Sequence, residues 1–186
     1  MSDRKNRVCP VELAGSLDNR IRRWFQNPQK ILSPYIQEGM KVLDFGCGPG
    51  FFTIEMARLV GKSGRVIAAD LQEGMLDRLR RKIQGTELGE RITLHKTEAD
   101  KIGLSEKVDF ILAFYMVHEI PDQEGFFQET AEILNPQGRL FIVEPPFHTS
   151  RSDFEKMMRL AKKAGFVLID QPKVFLSRTA LLKKSN

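Results

Sequence analysis

Short β-rich apolar runs alternate along the chain with longer amphipathic stretches. The runs fall at residues 41–45, 65–70, 92–96, 108–114, 138–144, 166–170 and 175–182. Helical spacing of apolar residues marks 51–60, 74–84, 123–134 and 152–164. Strands separated by helical patterns predict parallel strands joined by crossover helices.

Three of the predicted strands have readable ends. Asp44 runs into a glycine turn, Asp70 closes the second run, and Glu144 is followed by Pro145 and Pro146. Proline cannot donate to a ladder, so the fifth strand finishes there. Ligands of open parallel sheets sit outside the carboxyl ends of the strands, which makes these polar residues the first candidates for chemistry.

The last two runs follow a different rule. Gly165 ends the helix over 152–164, and Ser150 or Ser152 caps its start. Only 171–173, with Pro172 among them, separates the final runs, too little for a crossover. They are expected to form an antiparallel hairpin. Near the start, Leu17, Ile21, Trp24 and Phe25 recur at helical spacing before Pro28 and Pro34 break the pattern. A helix and turn across the open end of the sheet are expected there, with Trp24 as a packing residue.

Composition narrows the class. The 186 residues suit one domain, with 41% hydrophobic and 28% charged residues. No apolar run approaches the ~20 residues that span a bilayer, and residues 1–7 lack the apolar core of a secretory signal. A cytoplasmic protein is expected. Cys9 and Cys47 make no disulfide framework, and His95, His118 and His148 are too scattered for a metal-ligand spacing, so no metal is expected. The net charge of +5 includes Arg20, Arg22 and Arg23. Such a stretch can contact RNA phosphates, but few aromatics interleave with the charges, and a solvated surface is the preferred reading.

The chemistry concentrates in the segment 42–51, VLDFGCGPGF. A strand enters a turn with glycines at 46, 48 and 50, and a helical pattern follows at once. Glycines there admit positive φ and close approach of a ligand to the backbone. The G-x-G-x-x-G dinucleotide fingerprint would need glycine where Phe51 stands, and no G-K-[ST] of a P-loop is present. Asp70, at the end of the second run, can accept both hydroxyls of a ribose.

These motifs resemble those of the class I S-adenosylmethionine (SAM)-dependent methyltransferases, close to the small "methyltransferase type 11" group, over about residues 32–182. VLDFGCGPGFFT matches the first family motif, VIAADLQEGML the second, HKTEADKIGL the third, KVDFILAFYMVHEI the fourth and LNPQGRLFIVEP the fifth. The resemblance implies an α/β, Rossmann-like fold: a seven-stranded, mostly parallel sheet of order 3-2-1-4-5-7-6 with a terminal antiparallel hairpin. It implies one methyltransferase domain over 1–186, with a helical cap (1–37) and a core (38–186). The cofactor would be SAM, with S-adenosylhomocysteine (SAH) as product.

Site residues follow from the same resemblance. The loop Asp44, Phe45, Gly46, Cys47 and Gly48 would face the methionine and ribose, with Asp44 reaching toward the amino group. Asp70 would hold the ribose hydroxyls, with Leu71 and Met75 against the adenine. Glu98 would accept from the adenine amino group, Asp100 being the competitor, and the Ala99 N–H would pair with a ring nitrogen. Ala113 and Phe114 would flank the methionine carboxylate and sulfonium. Cys47 has no neighbouring base and reads as inert packing.

Methyl transfer from a sulfonium needs a placed, desolvated nucleophile and sometimes a base. Candidates on the acceptor side are Tyr115, His118 and Glu119 after the fourth strand, and Glu144 and His148 around the fifth. Either histidine could serve as general base. A small-molecule acceptor is expected, since no large insertion is available as a lid. The alternatives are a non-catalytic SAM-binding partner or sensor subunit, and an RNA-directed methyltransferase using the basic stretch around Arg20–Arg23.

Overall fold

Seven strands pair into one sheet, and their order sets which residues meet at its edge. The computed structural model describes residues 25–185. The strands are β1 (Lys41–Phe45), β2 (Arg65–Asp70), β3 (Ile92–Lys96), β4 (Val108–Phe114), β5 (Leu134–Glu144), β6 (Phe166–Asp170) and β7 (Arg178–Lys184), in the order β3-β2-β1-β4-β5-β7-β6. The first five are mutually parallel, whereas β7 runs antiparallel to both β5 and β6. The terminal hairpin thus forms as expected.

Successive residues of the central strands feed two cores, because strand side chains alternate between faces. Val42, Phe110, Leu112 and Phe141 point to one face, beneath α1 (Pro28–Leu32), α2 (Thr53–Leu59) and α3 (Glu73–Ile83). Leu43, Ile111, Leu140 and Ile142 point to the other, beneath α4 (Gln123–Ile133) and α5 (Arg151–Lys163). Burial on both faces explains why these strands read as near-continuous apolar runs. No helix among the described residues is long and apolar enough to cross a membrane.

Local chemistry sets the element ends. The Ser150 hydroxyl accepts from the Asp153 N–H at 3.1 Å and caps α5, which terminates at Gly165 with φ +85°. Three expectations change. Pro28 also starts a new short helix: its missing N–H is harmless in the first turn, and the Asn27 side chain caps the helix by accepting from Lys30 N–H. The fifth strand, expected from residue 138, starts earlier: β5 already pairs through Leu134 with Val108, and the pairing resumes at Arg139 after an irregularity. Phe175 and Leu176, read as strand, belong to the connection before β7, where Leu176 takes φ +44° and Ser177 N–H bonds back to Val174. The expected helix upstream, with Trp24 and Arg20–Arg23, lies outside the described residues.

Candidate active site

The polar side chains that the sheet buries gather at its carboxyl edge: Asp44, Asp70, Thr97 and Glu144 all sit at or just past strand ends. Parallel pairing of β1 with β2 and β4, and of β4 with β5, brings these ends side by side.

The turn after β1 is locked to β2. Gly46 and Cys47 N–H both bond to Ala69 O, at 2.8 and 3.0 Å. Gly48 N–H donates to Asp70 Oδ2 at 2.8 Å, and Gln72 N–H donates to Asp70 Oδ1 at the same distance. Asp70 therefore clamps two loops while each oxygen keeps further acceptor capacity. Burial pushes its carboxyl above the ordinary range, partly offset by those two N–H groups and by Lys96. Asp44 is buried as well, and its Oδ2 accepts from the Thr53 hydroxyl at 2.5 Å, tying the turn to the first residue of α2.

The glycines have different work. A Cβ on Gly46 would stand 2.9 Å from Met116 Cγ, and one on Gly50 only 2.4 Å from Leu79 Cδ1. Gly48, at φ +52°, faces open space with nothing within 4 Å. Its bare backbone beside the Asp70 carboxylate forms a cradle that any larger side chain would fill. Cys47 is buried, and burial together with the charges of Asp44 and Asp70 raises its thiol well above the usual value, so it is no nucleophile.

At the end of β4 the chain turns sharply. Tyr115 adopts φ +60°, a left-handed conformation costly for a non-glycine residue and common at functional sites. The following one-turn 3-10 helix, Val117–Glu119, abuts the end of β5. Glu144 is fully buried and accepts three hydrogen bonds: from Val117 N–H at 2.9 Å, from His118 Nδ1 at 2.5 Å and from the Thr149 hydroxyl at 3.0 Å. The His148 ring stacks on His118, with centroids 5.6 Å apart. Glu119, at the end of the 3-10 helix, is close enough to His118, Glu144 and Asp70 to feel their charges. Burial pushes its carboxyl up to about 7; His118 opposes that rise, and the charges of Glu144 and Asp70 add to it.

A family model described as a methyltransferase domain matches residues 36–171. The chain belongs to the class I SAM-dependent methyltransferases. It is 37% identical over 134 residues to the ubiquinone biosynthesis O-methyltransferase of Bartonella bacilliformis, covering 72% of this chain and 51% of that protein. It is 32% identical over 145 residues to the probable cobalt-precorrin-6B C(15)-methyltransferase (decarboxylating) of Saccharolobus solfataricus, covering 77% and 69%. A SAM-dependent methyltransferase structure from Aquifex aeolicus superposes with a TM-score of 0.83 at 26% identity, covering 94% of this chain and 98% of that one. The chain spans about half the length of several of the curated relatives it matches.

Within this methyltransferase the expected residues fall into two groups. Asp44, Phe45, Gly46, Cys47, Gly48, Asp70, Leu71, Ala113 and Phe114 converge at the ends of β1, β2 and β4. An acceptor carboxylate beside an open glycine backbone fits a ribose diol, so the residues present suit SAM. Met75 lies on the buried face of α3 and shows only 2% of its surface, leaving Leu71 the more accessible apolar partner. Glu98, Ala99 and Asp100 are exposed on a turn closed by Glu98 N–H to Lys101 O.

The five acceptor-side candidates do not all form one cluster. His118, Glu144 and His148 come together, but the Tyr115 hydroxyl bonds Gln26 at 2.6 Å and Ser177 at 2.7 Å, and its ring packs with the core on the α1 side of the sheet. Thr149 and Met116 complete the arrangement without having been singled out in the sequence. Thr149 is reached only through the bend that Pro145 and Pro146 impose, so its spacing from Glu144 carries no signal. Thr53, the partner of Asp44, closes the first motif and was legible there.

Proposed function

We propose that this chain transfers a methyl group from SAM to a small organic acceptor whose reacting atom carries a removable proton. The observation that carries this reading is the His118–Glu144 pair on the same strand edge as the glycine cradle and Asp70. SAM, when bound, supplies an activated methyl on a sulfonium, and Asp70, the backbone at Gly46 and Gly48, Asp44, Ala113 and Phe114 are the residues that would hold it. The adenine would rest against Leu71, with Glu98 and Ala99 at its edge.

On the acceptor side, Glu144 fixes the ring of His118 by engaging Nδ1. Proton exchange with an acceptor then falls to Nε2, and the buried carboxylate opposes the positive charge that develops on the ring. His148, stacked on that ring, positions it. The names of the relatives point to small-molecule biosynthesis, which supports an organic acceptor over a nucleic acid. A cytoplasmic setting fits such a role.

The test is SAH formation from SAM over a panel of phenols, amines and activated carbon acids. His118→Gln should lower turnover by ~10²–10⁴-fold on the responding acceptor, the usual contribution of a general base, while SAH affinity stays unchanged. Equal turnover in the variant would remove His118 from that role.

A further inference from the structure

A cavity of about 500 Å³ opens on the α1 face of the sheet, outside the site described above. Its walls are ring side chains: Phe25, Tyr35, Phe141 and Phe175. Tyr35 packs on Phe141 with centroids 5.3 Å apart, and Phe25 stacks on Phe175 at 4.8 Å, closing one side. Phe25 and Phe175 nevertheless stay 44% and 50% exposed. Contiguous ring surface left in water around a concave space marks a binding site more often than a structural accident. The volume lies within the roughly 300–1,000 Å³ of small-molecule sites.

The charged side chains that line this cavity have one sign, and behind them the opposite charges of Asp170 and Arg139 both reach the lining Tyr35. Lys30 and Lys173 stand among the lining residues, both exposed, and no acidic side chain lines the space. Among the described residues neither ammonium group has an ion-pair or hydrogen-bond partner. Two such groups beside an apolar wall attract an anion and disfavour a cation. A partition separates the cavity from the His118–Glu144 pair: Gln26 donates to the Tyr115 hydroxyl, which also bonds Ser177, and Tyr115 faces away from Glu144 across the sheet.

We infer that this cavity is a second small-molecule site, taking a ring-sized apolar body that bears one anionic group, and that it fills independently of the SAM cradle. The rings supply the contact area and the two lysines select the charge. The inference does not depend on the methyl-transfer reading.

Two fluorescent probes on the full chain test it. 8-Anilinonaphthalene-1-sulfonate has the required body and anion, and 1-anilinonaphthalene has the body alone. The sulfonate should bind with one equivalent per chain, and saturating SAH should leave that binding unchanged. The double variant Lys30→Gln/Lys173→Gln should weaken the sulfonate about five- to tenfold and leave the neutral probe unaffected. Phe175→Ala should weaken both probes, whereas Phe147→Ala, on a ring that is 85% exposed elsewhere, should change neither. Absence of binding, indifference to the lysine changes, displacement by SAH, or loss in Phe147→Ala would each overturn the assignment.

Discussion

Truncating Glu144 is the sharpest structural perturbation available at the acceptor side. Its carboxylate is completely buried and takes one hydrogen bond from each of three groups: Val117 N–H, His118 Nδ1 and the Thr149 hydroxyl. Val117 is 0% exposed and Thr149 only 1%, so neither donor finds water after Glu144→Ala. A buried donor left without a partner costs about 1–3 kcal/mol. His118 is partly exposed and can turn toward solvent, so its share is small. Together with the lost packing, Glu144→Ala should destabilise the fold by about 3–5 kcal/mol. At this chain length that corresponds to a fall in Tm of roughly 6–20 °C. Glu144→Gln keeps the volume and one carbonyl acceptor, and should cost about 1–2 kcal/mol. Urea unfolding at neutral pH, without ligand, measures both. A Glu144→Ala variant within about 1 kcal/mol of the wild type would refute the claim that this carboxylate holds the edge together.

Other outcomes follow from the same geometry. Because the Glu119 carboxyl titrates near about 7 in the fold, above its ordinary value, the folded protein holds that proton longer than the unfolded chain does. Stability therefore falls as pH rises through that window, and Glu119→Gln should match the wild type near pH 4 yet exceed it at pH 8. Allowing for the partial exposure of Glu119, the gain should be on the order of 1 kcal/mol, and melting curves across pH would read it. Gly50→Ala places a Cβ against Leu79 at positive φ and should cost about 2–4 kcal/mol of stability by urea unfolding. Gly48→Ala meets nothing and should cost only ~1–2 kcal/mol, yet its methyl enters the cradle, so calorimetry should show SAH affinity falling about tenfold or more.

Five of the seven strands carry the bounds expected from the sequence, because each is a short β-rich run set between polar stretches, and the ends of β1 and β2 are marked further by Asp44 with its glycine turn and by Asp70. Asp44 and Asp70 were legible for a related reason: a carboxylate that ends an apolar strand beside a glycine turn has few structural explanations. The fifth strand starts early because Leu134 pairs with Val108 ahead of the irregular stretch 135–138, and the seventh starts late because Phe175 and Leu176 curl into a turn closed by Ser177 N–H to Val174 O. The acceptor side was only half legible. His118 and Glu144 stood out as polar residues at strand ends, but their contact joins the turn after β4 to the end of β5, 26 residues apart in sequence, and depends on how those strands pair. Tyr115 shows the limit most plainly, since positive φ at one residue turns its hydroxyl to the opposite face of the sheet from its neighbour His118.

The central claim is that the ends of β1 and β2 form a SAM cradle built around Asp70. Calorimetric titration of SAH into the chain, with Asp70→Ala and NAD as comparisons, tests it most directly. One equivalent of SAH should bind the wild type and NAD should not. Loss of one or two hydrogen bonds to a charged acceptor should weaken Asp70→Ala by about ten- to a hundredfold, in a sample whose melting curve shows it folded. Failure of SAH to bind the wild type at millimolar concentration, or equal affinity in the variant, would contradict the account.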